Sequence, residues 1–507
     1  MGLPFRRDIV TLRTRRRTNN TLPVSSSSML LSLALDLGTT SIAAIAVDPD
    51  GRVVTRVQRP NTATLPDLPA GHAEQDPQTI RTIVAEVLSE LARDLPGTPA
   101  GLGLTGQMHG VLLTDSARCP LTPLITWQDR RANESAGTDS NGHPAPSWLE
   151  TYLAACKDVD LAKTGCKPAP GYLAVTLATL IGSDSIPQDA TSATFLADWV
   201  AAELTDTSIV TDRSNAAASG VFNLMEDCWS EPLLDNGRIP QEWMPEVGES
   251  GSVIGTLVPE WAAETGLPAG LPICGAIGDN QAAVLGSLPV GEPALQINVG
   301  TGGQINWPGP EFCHVSSMDT RYLPQDRFML VGAGLAGGDA YAWGTHGVSG
   351  WLDAFGTPPS ADAIYSQLAD SAASVPPDAD GLVCEPLFRG TRRQPTARGR
   401  LEGITFRNFT PGHVARAVLN GIAEGFAWFF ENAGHARPAD CVRIVGSGNG
   451  MRQNPLLVES IERRFGLPVV LAAHDQEAAF GTALLAGSQC GVWPDLATAG
   501  NAIKLLS

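Results

Sequence analysis

The run Leu33-Ala34-Leu35-Asp36-Leu37, then Gly38-Thr39-Thr40-Ser41, then Ile42-Ala43-Ala44-Ile45-Ala46-Val47 most constrains what this chain can fold into. Two apolar runs about a short polar turn read as strand, tight turn, strand. Gly38 is expected to supply the positive φ of the turn. The turn offers backbone N–H groups and three hydroxyls, a combination that holds phosphate. Asp36 is the odd member, because a carboxylate beside a phosphate needs a cation between them. The segment therefore reads either as a Mg2+–polyphosphate turn or as an ordinary hairpin with a polar tip.

The rest of the chain gives this turn partners. Three strands are expected over Leu31–Leu37, Ser41–Val47 and Gly51–Gln58. A helix is expected from Pro77 to Arg93, with Ile80, Ile83, Val84, Val87, Leu88 and Leu91 on one face and Asp76 as its N-cap. A strand follows over Leu102–Leu113, so strand and helix alternate as in α/β layers. Residues 150–205 read as mainly helical, and residues 214–220 as a loop between two short strands. Leu271–Ile277 is a buried strand, and Asp279 opens a helix. Then the opening pattern recurs: the strand Ala294–Val299, the turn Gly300-Thr301-Gly302-Gly303, and a second strand through Gln304-Ile305-Asn306-Trp307. Finally, Val442–Val445 runs into Gly446-Ser447-Gly448-Asn449-Gly450. Two hairpins of this kind suggest a duplicated core closing on one nucleotide.

Composition narrows the partners. With 507 residues the chain is too long for one core, and two or three domains are expected. A net charge of −19 argues against a nucleic-acid partner, which needs clustered Lys and Arg. The nine cysteines form no C-x-x-C pair, so reduced thiols in a cytoplasmic protein are expected rather than disulfides or zinc. No apolar run is long enough to span a membrane. Residues 1–28 differ from the rest, carrying Arg6, Arg7, Arg13, Arg15, Arg16 and Arg17 against the single acid Asp8. This stretch reads as a disordered basic extension ahead of a start at Met29, with a transit-peptide composition as the alternative.

Two further features could carry chemistry. Asp279 stands where an apolar strand meets a helix, the edge at which open α/β sheets bind ligands. The helix N-terminus favours its ionised form, and an ionised carboxylate there can take a proton from a hydroxyl. It is equally a good N-cap, and both readings stand at this point. Gln107, His109, Trp127, Asp129 and Arg130 lie at strand ends and loops and together would suit a polyol. Any one of them alone is as well explained as a capping or surface group.

The ordered set Asp36-Leu37-Gly38-Thr39-Thr40-Ser41, Glu74-Gln75-Asp76-Pro77, Gly106-Gln107-Met108-His109-Gly110, Trp127-Gln128-Asp129-Arg130, Gly278-Asp279-Asn280, Gly300-Thr301-Gly302, Pro386-Leu387-Phe388-Arg389-Gly390 and Gly446-Ser447-Gly448-Asn449 resembles the FGGY carbohydrate kinases from Met29 to the C-terminus. Within that family it is most similar to the sedoheptulokinases, through Thr126-Trp127-Gln128-Asp129 and Gln304-Ile305. The xylulokinases share Gln107-Met108-His109. The resemblance implies an α/β fold of two actin-like (ribonuclease H-like) ATPase domains flanking a central cleft. Residues 29–287 would be the N-terminal domain and 288–507 the nucleotide-binding C-terminal domain.

The resemblance also implies roles. ATP and Mg2+ are the cofactors and a small-molecule sugar is the substrate, with neither nucleic acid nor membrane as partner. Oligomeric state is not legible, and a homodimer is compatible with the chain. Asp279 would be the catalytic base and Asp36 would hold Mg2+ through water. Thr39, Thr40 and Ser41 would line the phosphates from one side, and Thr301 and Gly302 from the other. Gly446, Ser447 and Asn449 would hold the nucleoside. Glu74, Gln107, His109, Trp127, Asp129 and Asp279 would bind the sugar. The implied reaction is phosphorylation of a ketose at its terminal hydroxyl, sedoheptulose to sedoheptulose 7-phosphate. Xylulose, ribulose or glycerol are the alternative acceptors, and a non-catalytic actin-like sugar sensor is the alternative of another class. Arg131, Ala132 and the loop Glu134–Trp148 depart from the family pattern near the sugar end.

Overall fold

Residues 30–47 are apolar without alternation because both faces of their strands are covered. The computed structural model that shows this describes residues 29–138, 142–356, 359–388, 390, 397–438 and 440–506. The basic extension over residues 1–28 and Arg389 lie outside the described residues. Strands β1 (Leu30–Leu37), β2 (Ser41–Val47) and β3 (Val53–Pro60) are antiparallel neighbours, with Leu37 opposite Ile42 beside the turn. Leu33, Leu35 and Leu37 pack with Ile80, Val84 and Leu88 of helix α1 (Pro77–Arg93). Ala34, Ile45 and Val47, on the opposite face, pack with Phe480 and Leu484. Each such leucine or isoleucine contributes about 1.5–3 kcal/mol when fully buried. Helix α1 starts at its expected residue because the Asp76 carboxylate accepts hydrogen bonds from Gln78 N and Thr79 N and Pro77 follows it.

β4 (Thr98–Gly106) runs parallel to β1 on the side away from β2. Helix α2 (Arg213–Ala216), strands β5 (Val253–Thr256), β6 (Pro272–Cys274) and β7 (Ile277–Gly278), and helix α3 (Asp279–Ser287) follow. The sheet order is β5-β6-β4-β1-β2-β3, with β7 also on β4. A second sheet is built from β8 (Ala294–Val299), β9 (Gly302–Gly309), β10 (Asp319–Leu323) and β11 (Arg327–Ala336). Helices α4 (Gly338–Asp353) and α5 (Pro411–Asn432) come next, then β12 (Arg443–Ser447), β13 (Val469–Ala472), helix α6 (Glu477–Gln489) and β14 (Leu505–Leu506). Its order is β10-β11-β9-β8-β12-β13-β14. In both sheets the first hairpin strand has its antiparallel mate on one side and a parallel strand on the other. The parallel strands of each sheet end on one edge, which gathers the polar turns after β1, β4, β7, β8 and β12.

The elements differ from expectation in four places. The strand expected over Leu102–Leu113 stops at Gly106, and Leu112–Thr114 pairs instead with Ser192–Thr194, a strand inside the stretch read as helical. The strand expected over Leu271–Ile277 breaks at Gly275, whose N–H bonds to Ser252 O at 2.8 Å, so β6 and β7 pair separately with β4. The loop at 214–220 opens as helix α2, because the Asp212 side chain accepts from Asn215 N and caps it. Helix α6, late in the chain, packs on the first sheet: Ser32 Oγ donates to Ala483 O at 2.6 Å. Gly103 makes room for it, since a Cβ there would lie 2.9 Å from both Ala486 Cβ and Thr482 Cγ2. A single cut at 287/288 therefore does not separate the two cores. No helix among the described residues is long and apolar enough to cross a membrane.

Helices α3 and α6 cross with their backbones in contact. A Cβ on Gly481 would overlap the Ala282 carbonyl oxygen, and one on Gly286 would overlap the Glu477 carbonyl oxygen. Gly481→Ala is expected to lower the stability of the protein by about 1–3 kcal/mol through overpacking, read from denaturant unfolding.

Candidate active site

Asp36, at the end of β1, and Asp279, the first residue of α3, are neighbouring carboxylates on the first domain's polar edge. Burial and the charge of Asp279 push Asp36 up to about 7. Burial raises Asp279 to about 6, against a stabilising hydrogen bond from Asn280 N at 2.7 Å. Asp279 is not the helix cap, since Gly278 occupies that position and no side chain caps α3. The expectation that the helix N-terminus dominates its ionisation is also corrected: desolvation outweighs it. Burial raises both carboxylates and the charge of Asp279 raises Asp36 further, an arrangement that fits a divalent ion between them and a phosphate. No group of three or more potential metal ligands is present among the described residues. That donor set suits Mg2+, which keeps most of its waters and needs few carboxylates.

A cavity of about 160 Å3 is lined by Thr39, His109, Trp127, Asp279, Gln304 and Asp319, among others. His109 holds a left-handed backbone at φ 72°, stacks on Tyr172 at 4.2 Å between ring centroids, and donates from Nδ1 to Ala218 O at 2.8 Å. The carbonyl acceptor places the proton on Nδ1. Trp127 Nε1 donates to Thr39 Oγ1 at 3.0 Å, so the loop under the cavity is bonded directly to the first turn.

Three residues expected to face the sugar are used elsewhere. Gln107 donates to Gln75 Oε1 at 2.8 Å and accepts from Thr39 Oγ1 at 3.3 Å, and so braces the turn from beneath. Asp129, 1 % exposed, accepts from Arg131 N and Nε at 2.9 Å and from Ala73 N at 2.8 Å. Glu74 pairs with the same guanidinium. Neither residue lines the cavity: the Asp129 oxygens are taken by Arg131 and Ala73 N, and Glu74 is drawn to the same guanidinium. The Gly38 expectation is corrected as well. Its φ is not positive; a Cβ there would lie 2.7 Å from Ser41 O, so the glycine is needed for close approach. Thr40 is exposed, and Ser41 Oγ accepts from Gln58 Nε2 at 3.1 Å.

A larger cavity of about 600 Å3 lies at the second sheet's edge, lined by Gly300, Thr301, Asp339, Tyr341, Tyr365 and Asn449, among others. Asp339 N donates to Thr301 O at 3.0 Å and Gly338 N to Gly300 O at 2.9 Å, which docks the start of α4 on the second turn. Gly337 leaves room for that docking, since a Cβ there would lie 2.5 Å from the Gly302 carbonyl carbon. Gly446 and Ser447 are interior strand residues that do not line the cavity: a Cβ on Gly446 would lie 2.8 Å from Leu471 Cδ2 and from Met451 Cε. Sequence reasoning missed Asp319 and Arg321 on one side and Asp339 and Tyr341 on the other. Gly337-Gly338-Asp339 at a strand-to-helix junction was a usable signal. Asp319 and Arg321, two polar residues on a short strand, gave none.

Family models for the N-terminal and C-terminal domains of the FGGY family of carbohydrate kinases match residues 31–141 with 180–286, and residues 295–490. The chain belongs to the FGGY family of carbohydrate kinases. It is 29% identical to a glycerol kinase of Methylibium petroleiphilum, covering 92% of each chain. It is 27% identical to the sedoheptulokinase of Mus musculus, over 90% of this chain and 98% of that one. A xylulose kinase from Rhodospirillum rubrum superimposes with a TM-score of 0.81 at 25% identity, over 94% of this chain and 93% of that one. The FGGY fold is therefore that of two actin-like, ribonuclease H-like ATPase domains, as expected, and the chain is a carbohydrate kinase.

The carboxylate pair has a consequence for stability. An unfolded Asp titrates near 3.9, and both folded values lie above it. Their contribution to stability is therefore present at pH below about 4 and lost as pH rises through about 6 to 7. In metal-free buffer the unfolding midpoint is expected to fall between pH 5 and pH 8. Asp36→Asn should flatten that fall, and Mg2+ should reverse it in the wild-type protein at pH 8. A variant whose pH profile parallels the wild type would show that the pair is not the source.

Proposed function

We propose that this FGGY kinase transfers the γ-phosphoryl group of ATP to the terminal primary hydroxyl of a ketose, sedoheptulose, with xylulose as the second acceptor. The observation that carries the reading is the placement of Asp279: its carboxylate forms part of the polyol cavity wall and neighbours Asp36 at the ends of the hairpin strands. Asp279 accepts the proton of the attacking hydroxyl. Its value of about 6 leaves it largely ionised at neutral pH and closer to its task than an ordinary aspartate. Thr39 and the first turn hold the transferring group from one domain, and Thr301 with Gly302 hold it from the other. Asn449 and the larger cavity take the nucleoside. Asp36 would hold Mg2+ through water, and the ion would offset phosphate charge. The protein's share of catalysis is then positioning and charge stabilisation. Glu74, Gln107 and Asp129 act behind the site, by fixing Arg131 and the first turn.

The acceptor class rests on the polar groups around the cavity. Besides Asp279, the cavity is lined by His109, Gln304 and Asp319, and a ketose chain offers these groups more hydroxyls than a three-carbon polyol does. The reading is tested by ADP release against equal concentrations of sedoheptulose, xylulose, ribulose, gluconate and glycerol. Preference for sedoheptulose supports it, preference for xylulose moves it to the second acceptor, and no stimulation by any of them favours a sugar sensor. Asp279→Asn is expected to lower kcat about 10^2–10^4-fold while sugar binding, measured by calorimetry, is kept. Near-normal kcat in that variant would remove Asp279 from the role of base.

A further inference from the structure

The cavity beside Asp279 is closed by the second domain as well as the first. Strand β10 carries Asp319 and Arg321 into its lining, opposite His109 and Trp127. Arg321 is 4 % exposed, and a buried guanidinium has to be paired. It donates to Ala217 O at 2.8 Å and to Tyr172 OH at 3.1 Å, both in the first domain, and to Asp319 Oδ2 at 2.9 Å in its own strand. The backbone is anchored too. Thr320 N donates to Gly165 O at 2.7 Å, and a Cβ on Gly165 would overlap the Thr320 carbonyl oxygen. Tyr172 in turn stacks on His109, so the strand and the histidine wall form one bonded unit.

Resting on the sugar-kinase reading above, we propose that Asp319 is a substrate-binding residue supplied by the second domain, that it accepts hydroxyl hydrogens of the polyol chain, and that it sets the preference for ketoses over glycerol. Its carboxylate borders the cavity. Arg321 is held by three acceptors from two domains, so it fixes the carboxylate's orientation. A carboxylate has about four acceptor sites, so pairing with Arg321 does not by itself prevent it from accepting substrate hydroxyls. Two domains are then needed to complete the sugar site, and Arg321 is a positioning residue that acts through Asp319.

The test is steady-state kinetics of Asp319→Glu and Asp319→Asn with sedoheptulose, xylulose and glycerol. Glu keeps the charge that pairs with Arg321 and lengthens the side chain into the cavity, so Asp319→Glu should melt close to wild type. For both variants the ketose KM is expected to rise at least tenfold, with the ATP KM within twofold. The ratio of kcat/KM for ketose over glycerol is expected to fall at least tenfold. An unchanged ketose KM in Asp319→Glu overturns the inference. A parallel rise of the ketose and ATP KM values with a lowered melting temperature also overturns it, since Asp319 would then serve only to neutralise Arg321. If the wild-type protein uses glycerol as well as any ketose, the acceptor reading fails and takes this inference with it.

Discussion

Two carboxylates, Asp36 and Asp279, come together where the strands of the first sheet end, and burial raises both. Bringing like charges into a partly desolvated place is costly, and a fold keeps such an arrangement where a cation and a polyphosphate are to be held. Much of the surrounding architecture serves to hold these two groups at fixed positions. β1 and β4 are parallel neighbours whose apolar side chains pack with α1 and the helix Leu196–Thr205 on one face and with α6 on the other. That burial leaves their polar ends no freedom to move independently.

The same logic holds around the cavity. Trp127, Thr39, Gln107 and Gln75 form one hydrogen-bonded chain from the loop that carries Trp127 to the first turn. Asp129, Glu74 and Arg131 form a buried ion cluster beneath it. At the domain boundary Asn280 and Asn306 exchange amide hydrogen bonds, and Asn306 donates to Gln296 Oε1 at 2.7 Å. Helix α3 is thereby tied to both strands of the second hairpin. Neutral amides suit this place, because they join the domains without adding charge beside the carboxylate pair.

Local signals were read well where one segment decides its own structure. α1 has its expected limits because cap, proline and apolar period all agree. The two hairpins stand out because strand, turn and strand are contiguous. The roles of single polar residues were less legible. Gln107, Asp129 and Glu74 have the chemistry of sugar ligands, yet each is engaged by a group distant in sequence: Gln75 for Gln107, Ala73 N for Asp129 and Arg131 for Glu74. In the sequence Arg131 stands out only as a departure from the family pattern. Gly38 was given its place for one property, a positive φ, and earns it by another, the close approach of Ser41 O.

By itself the sequence determined the two hairpins, the capped helix between strands and the order of motifs that marks a carbohydrate kinase. Those features depend on contacts within a few residues or on patterns that survive translation along the chain. Only the tertiary structure decided that α6 returns to the first sheet, that Asp129 and Glu74 pair with Arg131, and that β10 brings Asp319 to the cavity beside Asp279. Each of those outcomes depends on which distant groups compete for the same hydrogen bonds and the same buried surface, and that competition exists only once the chain is folded.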